Sequence, residues 1–316
     1  MNIKVVGIGG AGGNTISRLS KYADKVGHPR QSRDKIEGVD LIIINTDSQD
    51  LKKVKADFKI QIGNKITRGF GTGMNPESGR TAAKEGSDRI RKVLIGADMV
   101  FITGGAGGGT CSGAAPIVAE IAKSQGCLTI AIITKPFSFE GAQRTRIAKS
   151  ALKSLEDKVD ALISISNNRL VKLANKKTTL NYSFSTGDKI LREAILGISE
   201  LILKPGIINV DFAAVKTILR NSGRALISQG QAKGENRAIQ AAKEALSSPL
   251  LDFSPKGAKG ILFNITGKNL SLSEIKEAAN TICQNVNKSA KIIFGAREDK
   301  NLKKSVIKIM LIATGF

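Results

Sequence analysis

The run Thr103-Gly104-Gly105-Ala106-Gly107-Gly108-Gly109-Thr110-Cys111-Ser112-Gly113 has the residue types that hold a phosphate. Glycines let backbone N–H groups close on an anion and tolerate positive φ. Thr110 and Ser112 add hydroxyl donors. The run lies between a strand-like stretch, Asp98 to Ile102, and a helix-like stretch, Ala114 to Ser124. The positive end of that helix then favours the anion. A flexible linker shares the composition, but linkers rarely join a buried strand to a helix. A second run, Gly7-Ile8-Gly9-Gly10-Ala11-Gly12, satisfies G-x-G-x-x-G after the strand-like Asn2 to Ile8, with a helix beginning near Gly13-Asn14. Alone it would suggest an NAD-binding dehydrogenase, the alternative of a different class. No acid ends a strand ~20 residues on, as that fold needs. The next strand, Leu41 to Asn45, ends in Thr46-Asp47 well beyond that distance. Neither run is followed by Gly-Lys-Ser/Thr, so neither is a Walker A loop.

The elements around these runs must bring them together. Leu128 to Thr134, Ala142 to Leu155 and Ala161 to Ser166 read as strand, helix, strand. Strands alternating with helices imply right-handed crossovers and a mainly parallel sheet. Ligands on such sheets bind beyond the carboxyl ends of the strands. Both glycine runs and Asn167 follow strand ends, so they can converge on one site. Ile60 to Asn75 carries glycines at 69, 71 and 73 and reads as a mobile loop. Pro76 to Lys92 has helical periodicity, with Glu77 near its start and Arg89, Arg91 and Lys92 near its end. From Gly187 to Leu203 an apolar, helix-period stretch ends before Pro205-Gly206. Then come a helix from Asp211 to Leu219, a strand from Arg224 to Gln229 and a helix from Asn236 to Leu246. Strands Gly260 to Thr266, Lys291 to Phe294 and Ser305 to Thr314, with a helix from Ser271 to Asn287, complete a second α/β domain.

Composition sets bounds. The 316 residues can bury a large core and suit two domains. There is no Trp, so the core must be aliphatic. No apolar run approaches the ~20 residues of a membrane span. The amino terminus enters a strand without a signal peptide, which points to the cytoplasm. Cys111, Cys127 and Cys283 lack metal-ligand spacing and are expected as thiols. The single histidine, His28, lies in a polar stretch from Tyr22 to Gly38 that reads as an exposed insertion. Forty-nine Lys and Arg against 27 Asp and Glu give a net charge of +22. A solvated surface accounts for most such charge; attraction to an anionic membrane is the functional alternative. Stacking aromatics do not interleave the basic residues, so no specific nucleic acid is expected.

Gly-Gly-Gly-Thr-x-Ser-Gly at 107–113 resembles the signature loop of the tubulin/FtsZ family of GTP-binding, filament-forming proteins. Thr134 to Gly141, Asn209 to Ala213, Ser247 to Leu251, Asn264 to Gly267 and Ile312 to Phe316 are similar to the FtsZ family at corresponding places. The resemblance covers nearly the whole chain, in order. It implies a tubulin-like GTPase with a Rossmann-like parallel sheet, a central helix and a smaller carboxyl-terminal α/β domain. The expected boundaries are 1–175 for the GTP-binding domain, 176–206 for the central helix with its lead-in, and 207–316 for the remainder.

The same resemblance assigns roles. Gly9, Gly10, Gly13 and Asn14 match residues at the nucleotide phosphates, as do Gly104, Gly105 and Gly107 to Gly113, with Gly108, Gly109, Thr110, Cys111 and Ser112 among them. Gly71, Thr72 and Gly73, with Met74 after them, match a segment near the γ-phosphate. Pro136, Glu140 and Arg144 fall near ribose and phosphates. Asn167, Phe184 and Asp188 match the guanine readers; a carboxylate can accept from guanine N1–H and N2–H, which adenine cannot supply. Asp211, with Asn209, matches the loop that enters the next subunit's pocket. Hydrolysis is therefore expected only in a head-to-tail homopolymer, with Mg²⁺ and K⁺ as cofactors beside GTP or GDP. The implied place is the cytoplasmic division site. Membrane tethers are expected as partners where a tail follows Phe316. A static scaffold filament that barely hydrolyses, and a nucleic-acid-segregating filament, are the further alternatives.

Two positions depart from the family pattern. Ala214 stands where a second Asp is usual, and Cys111 where Gly is usual. Losing a water-polarising carboxylate raises the barrier, at about tenfold in rate per ~1.4 kcal/mol. Cys111 adds a side chain beside phosphates, where an accessible thiol at a helix start would favour its thiolate. Slow hydrolysis is the expectation.

Overall fold

A computed structural model describes residues 1–25, 38–172, 180–249, 251, 254–299, 302–303 and 305–316. The chain divides within one helix into two compact units, Met1–Glu193 and Ala194–Phe316. Among the described residues no helix is long and apolar enough to cross a membrane.

In chain order the first unit comprises β1 (Ile3–Ile8), α1 (Gly9–Lys25), β2 (Val39–Asn45), α2 (Ser48–Lys53), β3 (Phe58–Gln61), α3 (Pro76–Glu85) and α4 (Ser87–Leu94). It continues with β4 (Met99–Gly105), α5 (Gly109–Ser124), β5 (Leu128–Lys135), α6 (Ala142–Glu156), β6 (Ala161–Ser166) and α7 (Asn167–Lys172). The division falls inside α8 (Leu180–Leu203). The strands lie in the order β3-β2-β1-β4-β5-β6, all parallel. Burial on both faces explains why β1, β2, β4 and β5 are nearly continuous apolar runs. The order reverses between β1 and β4, the switch point where doubly wound sheets bind ligands. One polar residue is buried in β1: Lys4 sends its Nζ to the carbonyls of Val93 at 2.6 Å and Ile95 at 3.2 Å. It thereby satisfies acceptors at the carboxyl end of α4, where a cation is favoured.

Pro76 to Lys92 is two helices where the periodicity predicts one. Gly86 separates them, and a Cβ there would lie 2.6 Å from Ile62 Cγ2. The chain must bend where it presses on the loop after β3. Only the packing reveals this, because α3 and α4 keep one common apolar period.

The second unit begins within α8 and adds α9 (Phe212–Leu219), β7 (Gly223–Lys233), α10 (Arg237–Leu246), β8 (Gly260–Gly267), α11 (Leu272–Gln284), β9 (Lys291–Glu298) and β10 (Val306–Thr314). Its strands lie in the order β7-β10-β8-β9, with β10 antiparallel to both neighbours and β8 parallel to β9. Alanines 238, 241, 242 and 245 of α10 join Phe263, Ile265, Ile307 and Leu311 in one core. Small side chains bring α10 close enough that a Cβ on Gly230 of β7 would strike the Ala241 carbonyl. The α/β class and the mainly parallel sheet are as the sequence implies.

Candidate nucleotide site

Parallel register decides where the two glycine runs meet. Ile8, the last residue of β1, is level with Gly104 of β4, and Gly105 is level with Thr134 of β5. Gly9, at φ +69°, turns β1 straight into α1. On β4 the turn is Ala106 to Gly108 alone, and α5 starts at Gly109. The run from Thr103 to Gly113 is therefore not one loop but a strand end, a short turn and a helix start. Likewise α1 starts at Gly9, earlier than Gly13-Asn14. Two helix amino termini thus open side by side at the sheet's switch point.

Between them lies a cleft of about 420 Å³, within the range of small-molecule sites. Gly9, Gly10, Ala11 and Asn14 line it from α1, Gly105 from the end of β4, Ala106 and Gly108 from the turn, and Gly109, Thr110 and Cys111 from the start of α5. Thr72 and Met74 close one side; Thr134, Pro136, Glu140, Arg144 and Asn167 close the other. No side chain caps α5, so its first N–H groups depend on an outside acceptor. Gly108 has nothing within 4 Å of where a Cβ would stand. A side chain there would project into the cleft that an anion needs. Backbone donors at a helix start with room before them fit a phosphate.

The polar walls are mutually braced. Arg144 donates from Nη1 to Glu140 Oε2 at 2.5 Å, and Glu140 Oε1 accepts from the Phe137 amide at 2.8 Å. A guanidinium has five donors, so this pair leaves others for an anion. Thr110 Oγ1 lies 2.7 Å from Thr46 Oγ1 and 3.4 Å from Thr72 Oγ1. Thr46 is fully buried, and its carbonyl accepts from Thr67 Oγ1 at 3.3 Å. Sequence reasoning gave Thr46 no part in the site. The signal was present: a buried apolar strand, β2, ends abruptly in the polar Asn45-Thr46-Asp47.

Several residues assigned to the ligand have structural contacts of their own. Gly13 faces Val54 and Ile43, and Gly113 faces the backbone of Pro76 to Arg80 on α3; neither lines the cleft. Ser112 Oγ accepts from the Gly107 amide at 3.0 Å and so shapes the turn. Gly104 and Gly107 lie behind the lining, and a Cβ on Gly104 would be 2.5 Å from Cys111 Sγ. Gly71 and Gly73 flank Thr72 at φ +82° and +55°, with open space around both. Cys111 differs most from expectation. Its thiol is turned into the core against Gly104, and burial pushes its pKa up to about 12. The reactive thiolate anticipated at this helix start does not form, because the low-dielectric core outweighs the helix terminus. Phe184 and Asp188 lie on α8, and their side chains are outside the described residues.

The second unit holds the remaining two assigned residues. Asn209 Oδ1 accepts from the Gly206 amide at 2.7 Å and fixes the loop before α9. Asp211 is the N-cap of α9, its Oδ1 accepting from the Ala214 amide at 2.6 Å. Both residues are exposed, and the N-cap bond engages only one of the two carboxylate oxygens of Asp211. Among the described residues no group of three or more His, Cys, Asp or Glu could hold a metal ion.

A doubly wound sheet with a cleft between two helix amino termini at its switch point, carried with a second α/β unit, fits a two-domain nucleotide-binding protein. Comparison with known proteins sharpens the class. The sequence model of the Tubulin/FtsZ family, GTPase domain, matches residues 2–175, and that of the FtsZ family, C-terminal domain, matches residues 223–316. An FtsZ from M. jannaschii, solved as an empty dimer, is 43% identical with a TM-score of 0.91, covering 99% of this chain and 88% of that one. CetZ2 from Haloferax volcanii, a GTPγS-bound protofilament, has a TM-score of 0.81 at 19% identity, covering 99% of this chain and 92% of its own. CetZ1 from the same organism, a GDP-bound monomer, has 0.80 at 19%, covering 100% and 94%. The two CetZ likenesses show the fold alone. The chain belongs to the tubulin/FtsZ family, and its amino-terminal unit is that family's GTPase domain, a guanine-nucleotide binder.

Proposed function

We propose that the protein binds GTP in this cleft and polymerises head to tail into the cytokinetic filament, at the cytoplasmic division site. The observation that carries the reading is the paired helix starts around open space at Gly108. The phosphates lie against Gly9, Gly10, Gly108, Gly109 and Thr110, and Thr72 meets the terminal phosphate. Glu140, Arg144 and Pro136 border the ribose, while Asn167, Phe184 and Asp188 read guanine. FtsZ from M. jannaschii was solved as a dimer, which favours self-association here.

In such a polymer, Asp211 of the partner subunit enters the cleft and orients the attacking water, with Asn209 holding the loop. Mg²⁺ would ride mainly on the nucleotide's own phosphates, as it does in sites with few protein ligands, and K⁺ would join at the same interface. Asp211 keeps one oxygen on its N-cap bond and has one for water. Ala214 offers no second carboxylate, so turnover is slow. The alternative, a static scaffold filament, differs only in degree and rests on the same Ala214. A membrane surface or membrane tethers would anchor the filament.

Phosphate release from GTP over a protein-concentration series, with light scattering on the same samples, tests this. Release should begin at the concentration where scattering begins. Scattering without release would select the scaffold, and absence of both would refute the reading.

A further inference from the structure

One end of the second unit carries a cluster of exposed lysines. At the end of the sheet where β8 and β9 start and β10 finishes, four exposed lysines gather: Lys256, Lys259, Lys288 and Lys291. Their nearness follows from the backbone. Lys259 donates its amide to the Thr314 carbonyl at 2.9 Å, and its carbonyl accepts from the Lys291 amide at 2.8 Å. Lys256 lies in the short turn Pro255–Gly257 before β8, and Lys288 in the turn before β9. Arg220, after α9, and Arg224, at the start of β7, are exposed beside them, where Thr314 Oγ1 meets the Ile218 carbonyl and β10 pairs with Ala225.

The acids nearest the strand ends lie at the opposite end, beside Lys233, Lys268 and Arg297. Glu235, Glu298 and Asp299 lie near where β7 and β9 finish, and Glu274 pairs with Arg237 beyond the end of β8. No Asp or Glu occurs in 254–260 or 285–291, the stretches that carry the four lysines. The Asp211 loop is also remote from it, because Ile208 bridges Ala296. Five residues of strand separate Ala296 from Lys291, roughly 17 Å.

We propose that this lysine end docks on an anionic lipid-bilayer surface, which gives the membrane contact of the proposed function a place and a chemistry and rests on that reading. The lysines stand on turn tips and strand starts and not in a groove, which suits an extended sheet of headgroups more than a tracked nucleic-acid backbone. All four are lysines, mobile point charges without the planar fork that arginine brings to paired phosphate contacts. The exposed Phe316 beside Gly257 can reach the headgroup level between them. Lysines on flexible stems next to an anionic leaflet strengthen partitioning about fivefold each.

The test is co-sedimentation of the GDP-loaded protein with phosphatidylcholine vesicles lacking or containing phosphatidylglycerol, at low and high salt. The GDP form keeps polymer avidity out of the measurement. A variant carrying K256Q, K259Q, K288Q and K291Q is compared with a control carrying R146Q, K149Q and K153Q on the exposed face of α6. Anionic vesicles should bind the parent, salt should weaken binding, and the four-lysine variant should lose it by about several hundredfold, with GTP turnover unchanged. The control should lose far less. If the control loses binding and the lysine variant does not, the membrane reading stands and this location is overturned. If the parent ignores anionic vesicles, both are overturned while GTP turnover still stands by itself. Tighter binding to a short DNA duplex than to vesicles of equal phosphate content would also overturn it.

Discussion

Two glycines of one motif, Gly108 and Gly113, should fail in opposite ways when each is replaced by alanine. Gly113 sits in α5 against α3, and a Cβ there falls within contact distance of the Pro76 carbonyl oxygen and 2.5 Å from the Arg80 amide nitrogen. These are backbone atoms, so α3 must move. Forcing a methyl group into a packed contact costs about 1–3 kcal/mol, while alanine for glycine inside a helix returns about 1 kcal/mol. The struck atoms are backbone, which puts the cost at the upper end. The net loss for Gly113→Ala should be about 2 kcal/mol, or about 4–8 °C in Tm. Gly108 has open space and an ordinary φ of −88°. Gly108→Ala should therefore leave Tm within about 1 °C and weaken GDP binding about tenfold or more, about 1.4 kcal/mol. Thermal melts without nucleotide and titration with a fluorescent GDP analogue separate the two outcomes. Lost affinity with an unchanged melt for Gly113→Ala would show that Gly113 holds phosphate after all, and the packing account would be wrong.

Restoring a second acid with Ala214→Asp should raise GTP turnover about tenfold or more above the assembly threshold, a change of about 1.4 kcal/mol; no gain would clear Ala214 of responsibility for slow hydrolysis. The substitution also places an acid in the first turn of α9, so the melt should not fall. The Cys111 thiol is raised from 9.0 to about 12 by burial, so the native state keeps its proton longer than the unfolded chain. Its contribution to stability is present below pH 9 and is lost as pH rises from 9 towards 12. At about pH 10.5 the loss should be about 2 kcal/mol relative to about pH 8, and Cys111→Ala should show that much less alkaline sensitivity in urea melts. Equal alkaline sensitivity would mean the thiol is not buried. In the folded protein near neutral pH a maleimide should modify Cys283, which is exposed, well before Cys111.

The sequence by itself determined the α/β class with a mainly parallel sheet, the two-domain plan and the family, but not the edge strand β3, where it read a loop from Ile60. Strand and helix periods, and the glycine runs placed after strand ends, depend on local chain chemistry and survive without coordinates. It also singled out Gly9, Gly10, Gly108, Gly109 and Thr110, all of which line the cleft. Tertiary structure alone decided what each glycine is for. A glycine motif cannot reveal whether the missing side chain leaves open cleft, as at Gly108, or makes way for another helix, as at Gly113, because both demand the same absence of a Cβ. Nor could it show that Cys111 turns inward, since a helix start attracts a thiolate only if the thiol faces it. The Thr46–Thr110 bond joins residues 64 positions apart, and only the parallel register of β2, β1 and β4 brings them within reach. The basic end of the second unit arises likewise, from lysines scattered between positions 256 and 291 that a shared sheet end gathers into one surface.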